Sequence, residues 1–511
     1  MNASTPPPPI ARTSAGVVRG RSESGGLAVF RGVPFAGAPV GEARFGAPRP
    51  VVAWDGVRDA LDFGPMPPQT PLGPPFPVPP PTSYDWLTVN VWTPAPDPAA
   101  RRPVLVWVYG GGYAAGFSAG YDAGRLARQR GTVVVTFNYR VGMEGFPRFP
   151  DAPANRGLLD QVAALRWVRE NIAAFGGDPD RVTVFGESAG AGSVAALLAM
   201  PSARGLFHGA IAQSVPGTYF SPSLAADITS ALVAPLGLPP TAAALASQDP
   251  HELARSAAAL LPAMREHRDR WGVVAHTVTP FSPVVDGEVL PQAPWQALRE
   301  GAARDVPLIV GHNRDEFRLF HVLSGGGPDR TTPEQTRTAL ELFGPGPAPE
   351  SAYRAAFPDA SDDDLCVLVQ SDWTFRMPTL HLAEAQVTGG GRAHVYELTW
   401  PAPADGGALG ACHGLDVPLT FGTYDGIAEL FGLRPTPEAE AVSEQFRSAW
   451  TAFAEEGTPG WQPYDLRSRQ VRILDTRGRT AGDPEGVARG LWEGHVFGVL
   501  GLAGGAEAAG G

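Results

Sequence analysis

The feature that most constrains this chain is an apolar strand that runs straight into Gly186-x-Ser188-x-Gly190 and then into an alanine-rich helix. The strand is Val-Thr-Val-Phe at residues 182–185, and the small residues follow at 191–199. A serine on such a sharp turn projects its hydroxyl above a sheet, and the flanking glycines leave room for neighbouring backbone. The pentapeptide alone is common, but this context is typical of a nucleophile elbow. We therefore predict that Ser188 is a nucleophile.

A second glycine-rich turn follows the apolar run at residues 103–109, which predicts a buried parallel strand. Three consecutive glycines, residues 110–112, allow backbone N–H groups to face a reacting oxygen. We predict that the N–H groups of Gly111, Gly112 and Ala189 form an oxyanion hole. A flexible turn is the alternative. A Walker A phosphate loop is excluded because the chain contains no lysine.

Further motifs occur in a shared order along nearly the whole chain. They are residues 32–36, 39–45, 90–94, 138–142, 157–161, 171–180, 213–214, 283–287, 311–316 and 413–422. With the elbow, they resemble the type B carboxylesterases, a family that includes para-nitrobenzyl esterases, mammalian carboxylesterases and cholinesterases. The resemblance implies an α/β-hydrolase fold: a central, mostly parallel sheet flanked by helices, with helical insertions over the active site. It implies no metal and no cofactor.

The resemblance also implies the partners of the nucleophile. Glu316 matches the acid of the family and His413 matches its base. The chain order Ser188, Glu316, His413 agrees with the order of nucleophile, acid and base in α/β hydrolases. Two alternatives stay open: His312 as the base, although it precedes the acid, and Asp315 as the acid, because it adjoins Glu316.

A supporting polar cluster follows from the same comparison. Glu187, Ser214 and Asp416 match three buried polar residues of cholinesterase-like members. Asp416 is shorter than the glutamate that is frequent at its position. Phe317 stands where the family usually has glycine, so we expect it to reshape the loop that carries Glu316 or to pack against it.

Composition limits the classes of partner. The 511 residues include 40 basic and 52 acidic side chains, and the net charge of −12 has the wrong sign for a nucleic-acid binder. The basic side chains are all arginine, which suggests a GC-rich, bacterial genome and excludes Ser-Lys dyads. No apolar run reaches membrane-spanning length, so we expect no membrane partner. The expected partner is a small ester, bound by a monomer or a homodimer.

Cysteine usage bears on the compartment. Only Cys366 and Cys412 are present, and Met66 and Trp86 stand where many secreted relatives form a disulfide. Residues 1–16 lack the charged start and apolar core of a signal peptide. These features favour the cytoplasm. We predict that Cys412, although it adjoins His413, is a buried small hydrophobe rather than a nucleophile.

The organisation along the chain is expected to be simple. Residues 1–15 are predicted to be mobile, residues 16–500 to form one domain, and residues 501–511 to be a Gly/Ala-rich tail. Helical insertions are predicted near 221–298 and 331–385. The proline-rich stretch at 65–81 is predicted to be a surface loop, and it lacks the tryptophan that cholinesterases use against choline.

Together these features predict a serine carboxylesterase that works through an acyl-enzyme on Ser188, with His413 as general base and Glu316 as the orienting acid. The same triad could also serve an amidase or a carbamate hydrolase. A non-catalytic, cholinesterase-like binding protein is the alternative from another class, although such proteins usually lack part of the triad. Because the base must be neutral, activity is expected to fall at acidic pH with an apparent pKa of about 6.5.

Overall fold

The computed structural model describes residues 7–69, 83–327 and 330–504. Their β-strands, in chain order, are β1 (Ile10–Arg12), β2 (Val17–Arg19), β3 (Arg21–Glu23), β4 (Leu27–Pro34), β5 (Val57–Asp59), β6 (Thr88–Thr93), β7 (Arg102–Val108), β8 (Val133–Phe137), β9 (Gly177–Glu187), β10 (Gly209–Gln213), β11 (Leu308–Asn313), β12 (Ala393–Leu398), β13 (Gln470–Leu474) and β14 (Arg479–Gly482). Strands β1, β2 and β5 form a small separate sheet.

The other strands form one 11-stranded sheet in the order β14-β13-β12-β11-β10-β9-β7-β8-β6-β4-β3. Its centre, from β8 to β13, is parallel, and antiparallel strands lie at both edges. The central strands β7 and β8 are buried almost throughout, as expected for continuous apolar runs covered on both faces. The predicted α/β-hydrolase architecture is confirmed.

Helices flank this sheet. They are α1 (Gly124–Arg128), α2 (Gly142–Gly145), α3 (Arg156–Asn171), α4 (Ala189–Ala199), α5 (Pro222–Val233), α6 (Ala242–Leu245), α7 (Pro250–Leu260), α8 (Arg268–Trp271), α9 (Pro294–Arg299), α10 (Arg318–Leu323), α11 (Pro333–Phe343), α12 (Pro349–Ala356), α13 (Asp362–Ser371), α14 (Met377–Thr388), α15 (Asp416–Phe421), α16 (Pro437–Glu456) and α17 (Gly486–Leu491). A single π-helical turn, Asp372–Arg376, joins α13 to α14.

Two amphipathic helices show how the sequence pattern produces the packing. Helix α3 continues into a 3-10 turn, and one apolar face is buried: Leu158, Val162, Leu165, Val168 and Ile172. Helix α16 packs an apolar face against the sheet, where Phe446 and Trp450 contact the ring of Tyr396 at centroid distances of 5.7 and 5.3 Å. Spacing of three and four residues places these side chains on one side of each helix.

Helices α5 to α9 fall within the predicted insertion at 221–298, and α11 to α14 fall mainly within 331–385. In the predicted N-terminal segment, strand β1 pairs with β2, while residues 1–6 lie outside the described part. Most of the proline-rich stretch, residues 70–81, and most of the predicted tail, residues 505–511, also lie outside it. Within the described ranges, no helix is both long and apolar enough to cross a membrane.

Candidate active site

Ser188 occupies the turn between β9 and α4. Its φ of 56° and ψ of −125° are strained for a residue with a side chain, as expected at a nucleophile elbow. The glycines are required by packing: a Cβ on Gly186 would lie 2.7 Å from the carbonyl oxygen of Gly190, and one on Gly190 would overlap the carbonyl oxygen of Val108. Ser188 is half-buried, and its hydroxyl forms no hydrogen bond to any described residue. The predicted strand–turn–helix context is confirmed.

The glycine loop after β7 faces the elbow. A Cβ on Gly110 would lie 3.0 Å from the Cβ of Ser188. Gly111 and Gly112 have φ values of 112° and 61°, which glycine adopts without strain. The Thr279 hydroxyl donates to the carbonyl oxygen of Gly112 at 2.6 Å and holds the loop from outside. In the described parts of the chain, the N–H groups of Gly111, Gly112 and Ala189 have no acceptor, so they are available to a ligand oxygen.

Tyr109, which stands where related hydrolases often have histidine, anchors the base of this loop. Its ring stacks on Tyr139 at a centroid distance of 4.3 Å. The Tyr109 hydroxyl donates to the carbonyl oxygen of Tyr139 at 3.0 Å, and the Tyr139 hydroxyl donates to that of Tyr109 at 2.6 Å. Burial raises the pKa of both phenols well above the ordinary value, so they remain neutral donors. The hydroxyl and ring of Tyr109 thus contact Tyr139, and we assign Tyr109 a structural role rather than that of a catalytic base.

Glu316 and His413 meet as a buried pair. Nδ1 of His413 donates to Oε2 of Glu316 at 2.7 Å. The other carboxylate oxygen, Oε1, accepts from the Ser214 hydroxyl at 2.6 Å and from the Asn313 N–H at 2.8 Å. Burial alone would raise the pKa of Glu316, but these hydrogen bonds and the nearby imidazole outweigh burial and lower it. The carboxylate stays charged and fixes both the orientation and the tautomer of the His413 ring.

The other imidazole nitrogen lies beside Glu187. Nε2 of His413 is 3.1 Å from Oε1 of Glu187, and both side chains are buried. Burial raises the pKa of Glu187 despite the neighbouring imidazole. Burial opposes protonation of His413, but the charges of Glu187 and Glu316 outweigh burial and raise the pKa of the ring. Groups this close titrate as a pair, so the protonation of His413 depends on that of Glu187.

Asp416 lies at the first turn of α15 and completes the polar surroundings of His413. Its carboxylate accepts from the Gln213 side chain at 2.7 Å, from the Tyr396 hydroxyl at 3.1 Å and from the Asn313 side chain at 3.3 Å. Burial is the main reason why the pKa of Asp416 is raised. Sequence reasoning named Asp416 but missed Asn313 and Tyr396. The Gln213-Ser214 step was visible as a motif, whereas nothing in the sequence marked the tyrosine.

An aromatic wall covers the imidazole of His413. Phe375 stacks on it at a centroid distance of 4.2 Å, and Phe320 lies at 5.2 Å. Phe317 packs on Phe320 at 5.3 Å, so the side chain that replaces the usual glycine joins this wall. Phe375 comes from the π-helical turn, a local irregularity that is frequent at functional sites. The sequence pattern did not reveal Phe320 or Phe375 as neighbours of the base.

The competing residues have other contacts. Asp315 accepts from the N–H of Ala411 at 2.9 Å, and it is Glu316 that contacts the imidazole of His413. His312 lies in a separate buried cluster with Glu397 and Glu485. Cys412 and Cys366 are free and buried, and burial raises the pKa of the Cys412 thiol far above its ordinary value. A protonated thiol is a poor nucleophile.

A mostly parallel sheet with a strained serine at the carboxyl end of a central strand defines an α/β hydrolase. The sequence profile of the Carboxylesterase family matches residues 7–343. The chain therefore belongs to the carboxylesterase family, and it is a carboxylic ester hydrolase.

Individual relatives agree. The chain is 36% identical to the para-nitrobenzyl esterase of Bacillus subtilis (strain 168), over 94% of this chain and 97% of the relative. It is 36% identical to a phenmedipham hydrolase of Pseudarthrobacter oxydans, over 88% and 90% of the two chains. Among solved structures, a Geobacillus stearothermophilus carboxylesterase matches with a TM-score of 0.81 at 35% identity, covering 94% of this chain and 99% of the other. The comparisons favour ester hydrolysis over the amidase, carbamate-hydrolase and binding-protein alternatives.

Proposed function

We propose that this enzyme hydrolyses small carboxylic esters through an acyl-enzyme on Ser188, with His413 as general base and Glu316 as the orienting acid. The hydrogen bond of 2.7 Å between His413 and Glu316 carries the proposal. The same imidazole lies 3.1 Å from the carboxylate of Glu187, the residue before Ser188. These contacts support the assignment of acid, base and nucleophile to one site at the carboxyl ends of the parallel strands.

The reaction would begin when Ser188 Oγ attacks the ester carbonyl and its proton passes to Nε2 of His413. The N–H groups of Gly111, Gly112 and Ala189 would hold the developing oxyanion, and one such donor typically contributes about 10²–10³ in rate. His413 would then protonate the leaving alcohol. Water, deprotonated by the same imidazole, would release the acid from Ser188.

Protonation of His413 sets the condition for this cycle. A protonated ring carries a proton on Nε2, close to the Glu187 carboxylate, and cannot accept the proton of Ser188. Loss of that proton leaves a lone pair on Nε2 for the nucleophile. In the active form, Nε2 of His413 is therefore unprotonated and Nδ1 still donates its hydrogen bond to Glu316.

For the substrate, we propose short or aromatic carboxylic esters, in keeping with the para-nitrobenzyl esterase among the relatives. The enzyme would act as a monomer or a homodimer. We also propose a bacterial source and a cytoplasmic location. The free, buried state of Cys366 and Cys412 and the use of arginine alone as the basic residue support these assignments.

Covalent labelling tests the nucleophile. An organophosphate should add one phosphoryl group per chain at Ser188, and Ser188→Ala should lose both the label and the hydrolysis of nitrophenyl esters. Ser193→Ala is the matched control, because Ser193 lies one turn further along α4 with its hydroxyl bonded to Gln161 at 3.0 Å. Turnover that persists in Ser188→Ala, or a label on another residue, would reject the assignment. A panel of nitrophenyl esters, anilides and carbamates tests the substrate class.

A further inference from the structure

A second cluster of titratable side chains is buried beside the strand that leads to Glu316. His312 on β11 and Glu397 on β12 are partners in the parallel register, so their side chains leave the same face of the sheet. Glu485, which precedes α17, reaches the same point from the C-terminal part of the chain. One ligand atom from each of the three lies within 4.8 Å of the others. No step of ester hydrolysis uses these groups.

The cluster contains buried polar atoms without partners. His312 is 0% exposed, and neither ring nitrogen forms a hydrogen bond to any residue in the described ranges. Glu397 is likewise 0% exposed, and its Oε2 has no partner in those ranges. Nε2 of His312 lies 3.8 Å from Oε1 of Glu485, which is too long for a hydrogen bond. Buried polar atoms almost always have partners, and these atoms are therefore available to a bound ligand.

Two arginines hold the carboxylates in place from behind. Arg314 donates to Oε1 of Glu397 at 2.8 Å, and Arg376 lies 3.5 Å from Oε2 of Glu485. In each carboxylate, one oxygen thus contacts an arginine and the other is one of the ligand atoms of the cluster. The Arg376 charge is met by Asp372 at 2.6 Å. Arg314 is half exposed, so solvent screens its charge.

We propose that His312, Glu397 and Glu485 bind a divalent transition-metal ion, with Zn²⁺ as the preferred ion. One imidazole nitrogen and two carboxylate oxygens are a donor set that Zn²⁺ accepts, whereas Mg²⁺ and Ca²⁺ prefer oxygen ligands alone. Bonds of about 2.1 Å in a tetrahedral site separate the ligand atoms by about 3.4 Å. Modest side-chain closure of the 3.8 Å gap reaches that spacing. Water would take the fourth position.

The ion would cross-link three elements that are distant in sequence: β11, β12 and the segment before α17. Its role is structural, because the cluster lies outside the group of residues that surrounds His413. The arginines orient the carboxylates in the way that outer-shell partners of metal ligands usually do. This inference does not depend on the proposed ester chemistry.

Zinc binding by the whole chain tests the proposal. Protein freed of metal with a chelator is titrated with ZnCl₂, and the bound metal is counted by mass spectrometry. We expect about one ion per chain and a higher melting temperature with zinc. His312→Gln and Glu485→Gln should each weaken binding by roughly 100-fold or more, since each removes a direct ligand.

His394→Gln is the matched control and should bind zinc as the parent protein does. His394 is also buried on β12 with neither ring nitrogen hydrogen-bonded to a described residue, but the rings of Phe453 and Trp461 are its neighbours. His413→Gln should also retain binding, and loss of binding in that variant alone would move the ion to the catalytic residues and overturn the proposal. Absence of zinc binding, or equal binding by His312→Gln, would overturn it as well.

A spectroscopic measurement keeps the test valid if a variant fails to fold. Co²⁺ added to the unaltered, metal-free chain should give the intense visible bands of a tetrahedral site with nitrogen and oxygen ligands, and Zn²⁺ should displace them. X-ray absorption of the zinc-loaded chain should show one imidazole and otherwise oxygen neighbours. Six oxygen neighbours without an imidazole would contradict the assignment.

Discussion

Replacing Glu187 by glutamine should shift the acid limb of the pH–rate profile to lower pH. The carboxylate of Glu187 lies 3.1 Å from Nε2 of His413 and stabilises the protonated ring. An amide of the same size removes that charge and leaves the hydrogen bond from His413 to Glu316. The proton that blocks catalysis is then lost at lower pH, and a larger fraction of the enzyme is active in mildly acidic solution.

The magnitude follows from the geometry. Two unit charges 3.1 Å apart interact with about 5 kcal/mol at an effective dielectric constant of about 20, which corresponds to about four pKa units. This is an upper limit, because burial raises the pKa of Glu187 and it carries its full charge only in alkaline solution. Since the Glu187 carboxylate is only partly charged where His413 titrates, we expect a shift of about one to two pKa units. The parent enzyme should accordingly show an acid limb above the ordinary histidine value of about 6.5.

The assay measures kcat/KM for a nitrophenyl ester from about pH 5 to about pH 9, because this constant reports the ionisations of the free enzyme. Glu440→Gln is the matched control, since Glu440 carries the same side chain but pairs with Arg125 at the surface. The control profile should overlay the parent profile. An acid limb that stays in place in Glu187→Gln, or moves to higher pH, would refute the reasoning.

Two further predictions concern buried polar groups. Ser214→Ala removes a charge-assisted hydrogen bond of 2.6 Å to Glu316 and should lower kcat/KM about tenfold, about 1.4 kcal/mol, with KM nearly unchanged; an unaltered kcat would contradict this. His394 concerns stability, because burial lowers its pKa to about 4, whereas the unfolded chain binds the proton near its ordinary value of 6.5. Between these two pH values the unfolded state binds more protons than the folded state. The contribution of His394 to the free energy of unfolding is therefore fully present above pH 6.5, and about 3 kcal/mol is lost as the pH falls towards 4. His394→Phe should lose less free energy of unfolding than the parent protein when unfolding is measured at both ends of this pH range. An equal loss in the two proteins would contradict the prediction.

The sequence predicted those parts of the molecule that depend on local patterns. The apolar runs before residues 110 and 186 form β7 and β9, and the alanine-rich stretch after Ser188 forms α4. Glycines that must approach other backbone, such as Gly190, could be recognised because no larger residue fits the turn. The resemblance then identified Glu316 and His413, whose pairing no local rule predicts.

Other contacts could not be read from the chain because they depend on distant segments. Phe375, which stacks on His413, lies in a π-helical turn, and such an irregularity has no sequence signature. The partnership of His312 with Glu485 likewise required the C-terminal segment to return to β11.

The position of the base depends on the loop that carries the acid. Several hydrogen bonds join the two loops. The His413 N–H donates to the carbonyl oxygen of Glu316 at 3.2 Å, and the Asn313 side chain donates to that of Cys412 at 2.8 Å. Asp315 and Ala411 exchange two bonds, since the Asp315 carboxylate accepts from the Ala411 N–H at 2.9 Å and the Asp315 N–H donates to the Ala411 carbonyl oxygen at 2.9 Å. No strand holds His413 directly, since it lies between β12 and α15. Substitutions near the end of β11 should therefore act by displacing the imidazole, even where they leave the Glu316 carboxylate intact. Because an imidazole displaced by about 1 Å can lose roughly 100-fold in rate, rigidity at this strand end is part of the catalytic apparatus.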